Sequence, residues 1–402
     1  MAKNKKPKTN RAIRKIQRLA SPASPRPVDL LKQAEDYEEK ARALHLKGDI
    51  AGSRKYLLLL VNFKERQYGP ESPEIISSLN NLAANLAMSG DNKGAKRLFD
   101  RLIALCEKYL PPDHPEYVAA LTNLANHHSA LENHAEAERL YAQVLAIHER
   151  NLGPKNIITL AVANSLASTI ADQGRFKEAM PRFKRILSLQ KEILGPEHPH
   201  VLLTTNQLAD CLAALKDNKG ASELYFSLLA TNEKIFGTDN EETINVMTDL
   251  YLHLVSVGDL PAAVALGQRF LSSVARVFGP QSHTTLNFTN NLAINLSKID
   301  RYQEALDLFA RCHEILQRVS KPTSHKTIEA TYNYINCLIT NNCLEKAREL
   351  LVKNLPTVQR VFGATHQMTI LYSGQLAKTL LILGDEAGFL DILKRYPILT
   401  SS

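Results

Sequence analysis

A chain of 402 residues with 44% hydrophobic and 22% charged residues has the composition of a water-soluble folded protein, and no apolar run approaches the roughly 18 residues that cross a bilayer, so integral membrane association is not expected. The net charge of +8 describes only one end, because residues 1–28 hold nine Lys or Arg and no acid, leaving 40 basic against 41 acidic residues in the remainder. Five cysteines without a C-x-x-C pair fit neither a disulfide framework nor a zinc site and imply a reducing compartment, cytoplasmic or, if the basic start serves as an address, nuclear or organellar.

Residues 1–28 combine Lys3-Asn4-Lys5-Lys6-Pro7-Lys8 with the proline-rich Ser21-Pro22-Ala23-Ser24-Pro25-Arg26-Pro27. So much charge and proline leaves too little apolar surface to offset the entropy of ordering, and the tail is predicted to be disordered. Ile13, Ile16 and Leu19 recur at spacing three among Arg14, Lys15 and Arg18, a pattern suited to a short helix on an anionic surface. Three readings stay open: a solubilising tail, an electrostatic anchor for nucleic acid, a ribosome or an acidic protein, and a transit peptide.

From Val28 the pattern becomes helical and then periodic. Ala95, Ala137, Ala179, Ala221, Ala263, Ala305 and Ala347 follow one another at 42 residues, and Leu82, Leu124, Leu166, Leu208, Leu250, Leu292, Tyr334 and Leu376 keep the same step. A period of this length marks an array, which grows by stacking units and is read as one elongated domain over residues 29–402. Eight repeats run from about residue 37 to 372, and residues 373–402 form a partial repeat that caps the core.

Each repeat predicts two helices around a tight turn at Gly48, Gly90, Gly174 or Gly258. Leu166, Ala167 and Ile170 of one helix face Ala179, Phe183, Ile186 and Leu187 of the next at amphipathic spacing. Ala179 is small because the axes cross there, and a larger residue would force them beyond the usual 8–10 Å.

Between repeats, Gly69, Gly153, Gly195, Gly237, Gly279 and Gly363 stand where a helix end needs a left-handed residue. Three residues on come Ser72, His114, Asn156, His198, Asn240, Ser282, Ser324 and His366, of which the Ser and Asn are strong N-cap types. The loop histidines are accordingly read as structural. Ser320-Lys321-Pro322 breaks the loop pattern, and a local change of superhelical pitch is expected there.

The small residue after the turn and the Leu-Ala pair of the first helix resemble the tetratricopeptide repeat. The 42-residue step, with Asn-Asn-Leu-Ala at 80–83 and 290–293 and Leu-Gly-Pro-Glu-His-Pro at 194–199, resembles the kinesin light chain subtype. The resemblance implies an all-α, right-handed superhelical solenoid of about 18 helices. That subtype's coiled coil has no counterpart in residues 1–28, so motor attachment is not inferred.

The resemblance also implies a concave groove lined by the first helices. The matching positions hold Asn80, Asn81, Thr122, Asn123, Asn126, Asn164, Ser165, Asn206, Gln207, Asn290, Asn291, Asn333 and Asn336, an amide ladder. An amide both donates and accepts, so it can pair with the backbone of an extended peptide whatever its side chains. Pockets near Ala84, Ala87, Met88, Leu252, Val255 and Ile294 would supply specificity. Lys298, Lys378, Asp210 and Asp249 are the sparse charges of the groove. A carboxylate clamp would need Lys at Asn80, Thr122, Asn164 and Asn206.

No catalytic signature stands outside the repeat register. Gly90 to Lys96 only glances at a phosphate loop, and His127, His128 and His134 do not share a helix face, so neither a cofactor nor a metal is expected. The sequence therefore points to a non-enzymatic scaffold or adaptor that binds an extended peptide or partner helix. The alternatives are a nucleic-acid- or ribosome-associated factor acting through the tail, and a regulatory subunit of an enzyme complex.

Overall fold

The computed structural model describes residues 27–400; the disorder expected of the tail falls on residues 1–26, outside them. Internal contacts divide the chain into two compact units that meet in sequence at Pro196 and Glu197. The first holds α1 (Pro27–Leu46), α2 (Ile50–Tyr68), α3 (Ile76–Met88), α4 (Asn92–Tyr109), α5 (Pro115–Ala130), α6 (His134–Asn151), α7 (Ile157–Asp172) and α8 (Phe176–Leu194). The second holds α9 (Pro199–Ala214), α10 (Asn218–Phe236), α11 (Glu241–Ser256), α12 (Leu260–Phe278), α13 (His283–Lys298), α14 (Tyr302–Val319), α15 (His325–Thr340), α16 (Leu344–Phe362), α17 (Gln367–Ile382) and α18 (Glu386–Arg395). Among the described residues there is no strand, and consecutive helices pair as hairpins within each unit.

The turns inside the hairpins follow from backbone sterics. Gly90 has a φ of 81°, as the sequence leads one to expect, but Glu132, Lys216, Asp300 and Asn342 adopt φ of 57–65° at the same step. Closure of the hairpin imposes the conformation, and only some repeats supply the residue that adopts it without strain. The second helix then starts on an aspartate. Asp49, Asp91, Asp217, Asp259 and Asp385 accept from the N–H three residues on at 2.8–3.2 Å. That N–H belongs to glycine in four cases, where a Cβ would lie within 3 Å of the aspartate; Ala262 is the exception and makes the longest of the five bonds.

The inter-repeat glycines differ from expectation in one angle. Gly69, Gly195, Gly237, Gly279 and Gly363 have positive φ, but ψ of 142–173° places them in the extended mirror region, not in a left-handed turn. At the next helix starts, His114, His198 and His366 cap through Nδ1 at 3.1–3.2 Å. Asn156, Asn240 and Ser282 cap through oxygen. Ser72 and Ser324 make no cap bond.

The seven alanines of the 42-residue series are fully buried. Around five of them, an aromatic on the second helix faces a small residue on the first: Phe99, Tyr141, Phe183, Tyr225 and Phe309 keep the 42-residue register, against Ala83, Ala125, Ala167, Ala209 and Ala293, while Leu351 and Ile335 hold these positions beside Ala347. One hairpin reverses the arrangement, with Tyr251 at the small position and Gly267 at the aromatic one. A Cβ on Gly267 would lie 2.8 Å from Leu292 Cδ1 and 3.1 Å from the Tyr251 ring, so the ring fills the volume that the missing aromatic leaves.

Gly267→Phe and Tyr251→Ala should each destabilise the chain by several kcal/mol in urea unfolding. The double variant should recover on the order of 1–3 kcal/mol relative to their sum; strict additivity would refute the exchange. In the same assay Lys216→Gly should add about 0.5–1 kcal/mol by relieving the turn.

Candidate functional site

The expected ladder residues all lie on first helices: Asn80 and Asn81 on α3, Asn123 and Asn126 on α5, Asn164 and Ser165 on α7, Asn206 and Gln207 on α9, Asn290 and Asn291 on α13, Asn333 and Asn336 on α15. Several of them bond to one another. Asn123 Nδ2 donates to Asn80 Oδ1 at 2.9 Å, Asn206 Nδ2 to Asp249 Oδ2 at 3.1 Å, and Asn333 Nδ2 to Asn290 Oδ1 at 3.5 Å. Each pair is 43 residues apart, one repeat plus one residue. The rungs therefore tie neighbouring first helices together.

Other ladder residues are engaged locally. Tyr141 Oη donates to Asn126 Oδ1 at 2.6 Å, Ser165 Oγ donates to the Ala161 carbonyl at 3.3 Å, and Asn164 and Gln207 also have partners. Three amides remain. No side-chain hydrogen bond of Asn81 or Asn291 is found among the described residues, and Asn336 Oδ1 is buried without a partner.

Each of these three lines a cavity. Asn81 borders one of about 480 Å³ with Ala84 and Met88, in the first unit. In the second unit Asn336 borders one of about 290 Å³ with Ile294, and Asn291 one of about 260 Å³ with Ser320 and Ser324. The last cavity lies at the irregular loop, where Leu286, Cys312 and Leu316 form a small apolar cluster of their own.

The charges of the ladder face are held by neutral donors. Tyr225 Oη donates to Asp210 Oδ1, repeating the Tyr141–Asn126 contact two repeats on, and Asn206 holds Asp249. Burial pushes both carboxyls up from their ordinary range; the Tyr225 bond opposes this for Asp210, and the charge on Asp249 adds to it. Asp210 keeps accessible surface, yet the protein around it solvates its charge poorly.

A second polar column, behind the ladder, escapes sequence reasoning altogether. Asn85 Nδ2 donates to the Ile50 carbonyl at 3.1 Å, His253 Nε2 lies 3.3 Å from that of Asn218, and Cys337 Sγ 3.8 Å from that of Tyr302. These carbonyls belong to the first residue of the preceding second helix in each case. The signal was present as buried polar residues at one step, but their partners are 35 residues away.

His127 belongs to the same column and packs on Phe99 at 5.5 Å. Burial, followed by the charges of His128 and Lys96, pushes its pKa down. His128 Nδ1 meets Asn133 Nδ2 at 3.1 Å. Among the described residues no group of three His, Cys, Asp or Glu is placed to hold a metal, and no helix is long and apolar enough to cross a membrane.

The model of the tetratricopeptide repeat matches residues 74–150, 116–192, 157–234 and 252–318. No curated protein sequence matches the chain. Among solved structures, repeats of a putative kinesin light chain of Podosopora anserina are 26% identical, covering 53% of this chain and 99% of that one with a TM-score of 0.45. The C-terminal part of a repeat-containing protein of Cytophaga hutchinsonii is 12% identical over 70% of this chain and 96% of that one, with a TM-score of 0.52. A tetratricopeptide repeat protein of Parabacteroides merdae is 14% identical, covering 71% and 93%, with a TM-score of 0.47.

Asn123→Ala should lower stability by about 1–2 kcal/mol, because it leaves the buried Asn80 oxygen without its donor. Asp249→Asn should act in the opposite direction. A carboxyl whose folded pKa is raised favours the folded state only where it is protonated, so the variant's gain in melting temperature should be present at pH 7 and vanish as pH falls through the raised pKa. Equal gains at both ends of a pH titration would rule this out.

Proposed function

The chain belongs to the tetratricopeptide repeat family, and we propose that it is a non-enzymatic scaffold that binds extended peptides on the face that the first helices form within a unit. Membership supports protein-interaction work in general. The finer reading rests on one observation: the amides left over by the ladder, Asn81, Asn291 and Asn336, each border a cavity.

The chemistry fits a peptide. Asn81 and Asn291 each offer a donor and an acceptor to one peptide unit and Asn336 offers its Nδ2 donor, while an adjacent cavity receives a side chain. Met88, which is largely exposed beside Asn81, supplies a soft apolar contact that adapts to different side chains. The bonded amides contribute differently, by fixing the spacing between the helices that present the free ones.

Fifteen-residue peptides selected from a random display library on the full chain should bind it, and those held by the second unit should lose affinity in the Asn291→Ala/Asn336→Ala variant. At about 1 kcal/mol per hydrogen bond the loss is on the order of thirtyfold. Unchanged affinity in that variant, with helicity intact by circular dichroism, would refute the proposal.

A further inference from the structure

In the second unit four charges of the ladder face fall into an acidic and a basic end, while Lys326 and Glu329, one of each sign, both border the cavity of Asn291. Asp210 on α9 and Asp249 on α11 stand at one end; Lys298 on α13 and Lys378 on α17 stand at the other. The two acids are held by Tyr225 and Asn206, both neutral, and neither carboxylate has an ion pair among the described residues. Lys298 is the one charged residue lining the 290 Å³ cavity, beside Ile294, Asn336 and Thr340, and no acid borders that cavity. The nearest acid in sequence, Asp300, is engaged by the Tyr302 hydroxyl. Lys378 stands one repeat after Asn336 and is exposed.

Such a face discriminates by charge pattern. A polyanion such as nucleic acid would meet the acid pair, and a purely basic segment would meet the lysines, so each gains at one end and loses at the other. A ligand carrying both signs gains at both. The acid pair in particular is a like-charge arrangement that an incoming ammonium or guanidinium relieves. Spacing follows from geometry: neighbouring helices lie 8–10 Å apart, Lys298 stands about two turns further along its helix than Asp249, and an extended chain rises about 3.3 Å per residue. The two ends are thus about four to six peptide residues apart.

We propose that the second unit selects peptides of fixed charge polarity, with a Lys or Arg set against Asp210 and Asp249 and an Asp or Glu set against Lys298, Lys378 extending the same end. This rests on the peptide-binding reading above and adds to it the composition and the direction of the ligand.

The test repeats the random-library selection on the full chain, on Asp210→Asn/Asp249→Asn and on Lys298→Ala/Lys378→Ala. Both variants should fold, because the asparagines still accept from Tyr225 and Asn206 and the lysines are exposed. Peptides selected by the unsubstituted chain should carry a basic and an acidic residue in one fixed order and separation. The first variant should lose at least tenfold of the enrichment for the basic residue and keep the acidic one; the second should do the reverse. Enriched peptides without this order, or the same preference in all three proteins, would overturn the polarity and leave the groove standing. Failure to enrich any peptide would overturn both.

Discussion

In seven of the nine described hairpins the two helices approach closely at a buried alanine, with Ser53 and Phe389 at that step in the first and the last. With the axes held at that distance, one large side chain fills the space beside the crossing, and the remaining apolar positions close around it. What the crossing constrains is volume, since Tyr251 and Gly267 exchange large for small between the two helices and leave the hairpin intact. The alanine at the crossing itself, Ala263 in that hairpin, does not change. Stacking the hairpins at a constant 42-residue step then lets inter-repeat contacts recur, the amide rungs at 80/123, 206/249 and 290/333 among them.

Much of this was legible in the residues themselves. The alanine series, the leucine series and the turn glycines all report local requirements that each repeat must meet alone. The turns at Glu132 and Lys216 were not legible, because there the fold overrides the preference of the residue. The caps were misjudged for a reason of reach. Asn Oδ1 and His Nδ1 stand at the same number of bonds from the backbone and both accept from the second residue on, as in Asn156 and His198. Ser282 accepts from the third residue instead, as the aspartates of the second helices do. Ranking by residue type therefore promoted Ser72 and Ser324 over histidines that do the work of asparagine.

The ladder was legible only as a column. Comparing positions at a step of 42 reveals that amides recur, but their partners lie at 43 or 35, and no comparison at equal register shows them. That offset alters what the column means. An amide bonded to the next repeat specifies how two hairpins align, a requirement that apolar packing alone enforces weakly because it has no direction. The free amides stand out only once the bonded ones have been subtracted, and they border cavities that the bonded Asn123, Asn290 and Asn333 also line.

The acid pair resists that structural explanation. A rung needs one donor and one acceptor, and Asn80 with Asn123 shows that two neutral amides supply them at 2.9 Å. Asp249 in place of an amide still accepts from Asn206, but brings a charge that burial disfavours, and Asp210 places a second charge near it. Asparagine at either position would keep every hydrogen bond now made and remove the repulsion. The carboxylates thus add nothing to the hydrogen bonding of the wall they belong to, and a basic residue of the proposed ligand would offset their charge from outside.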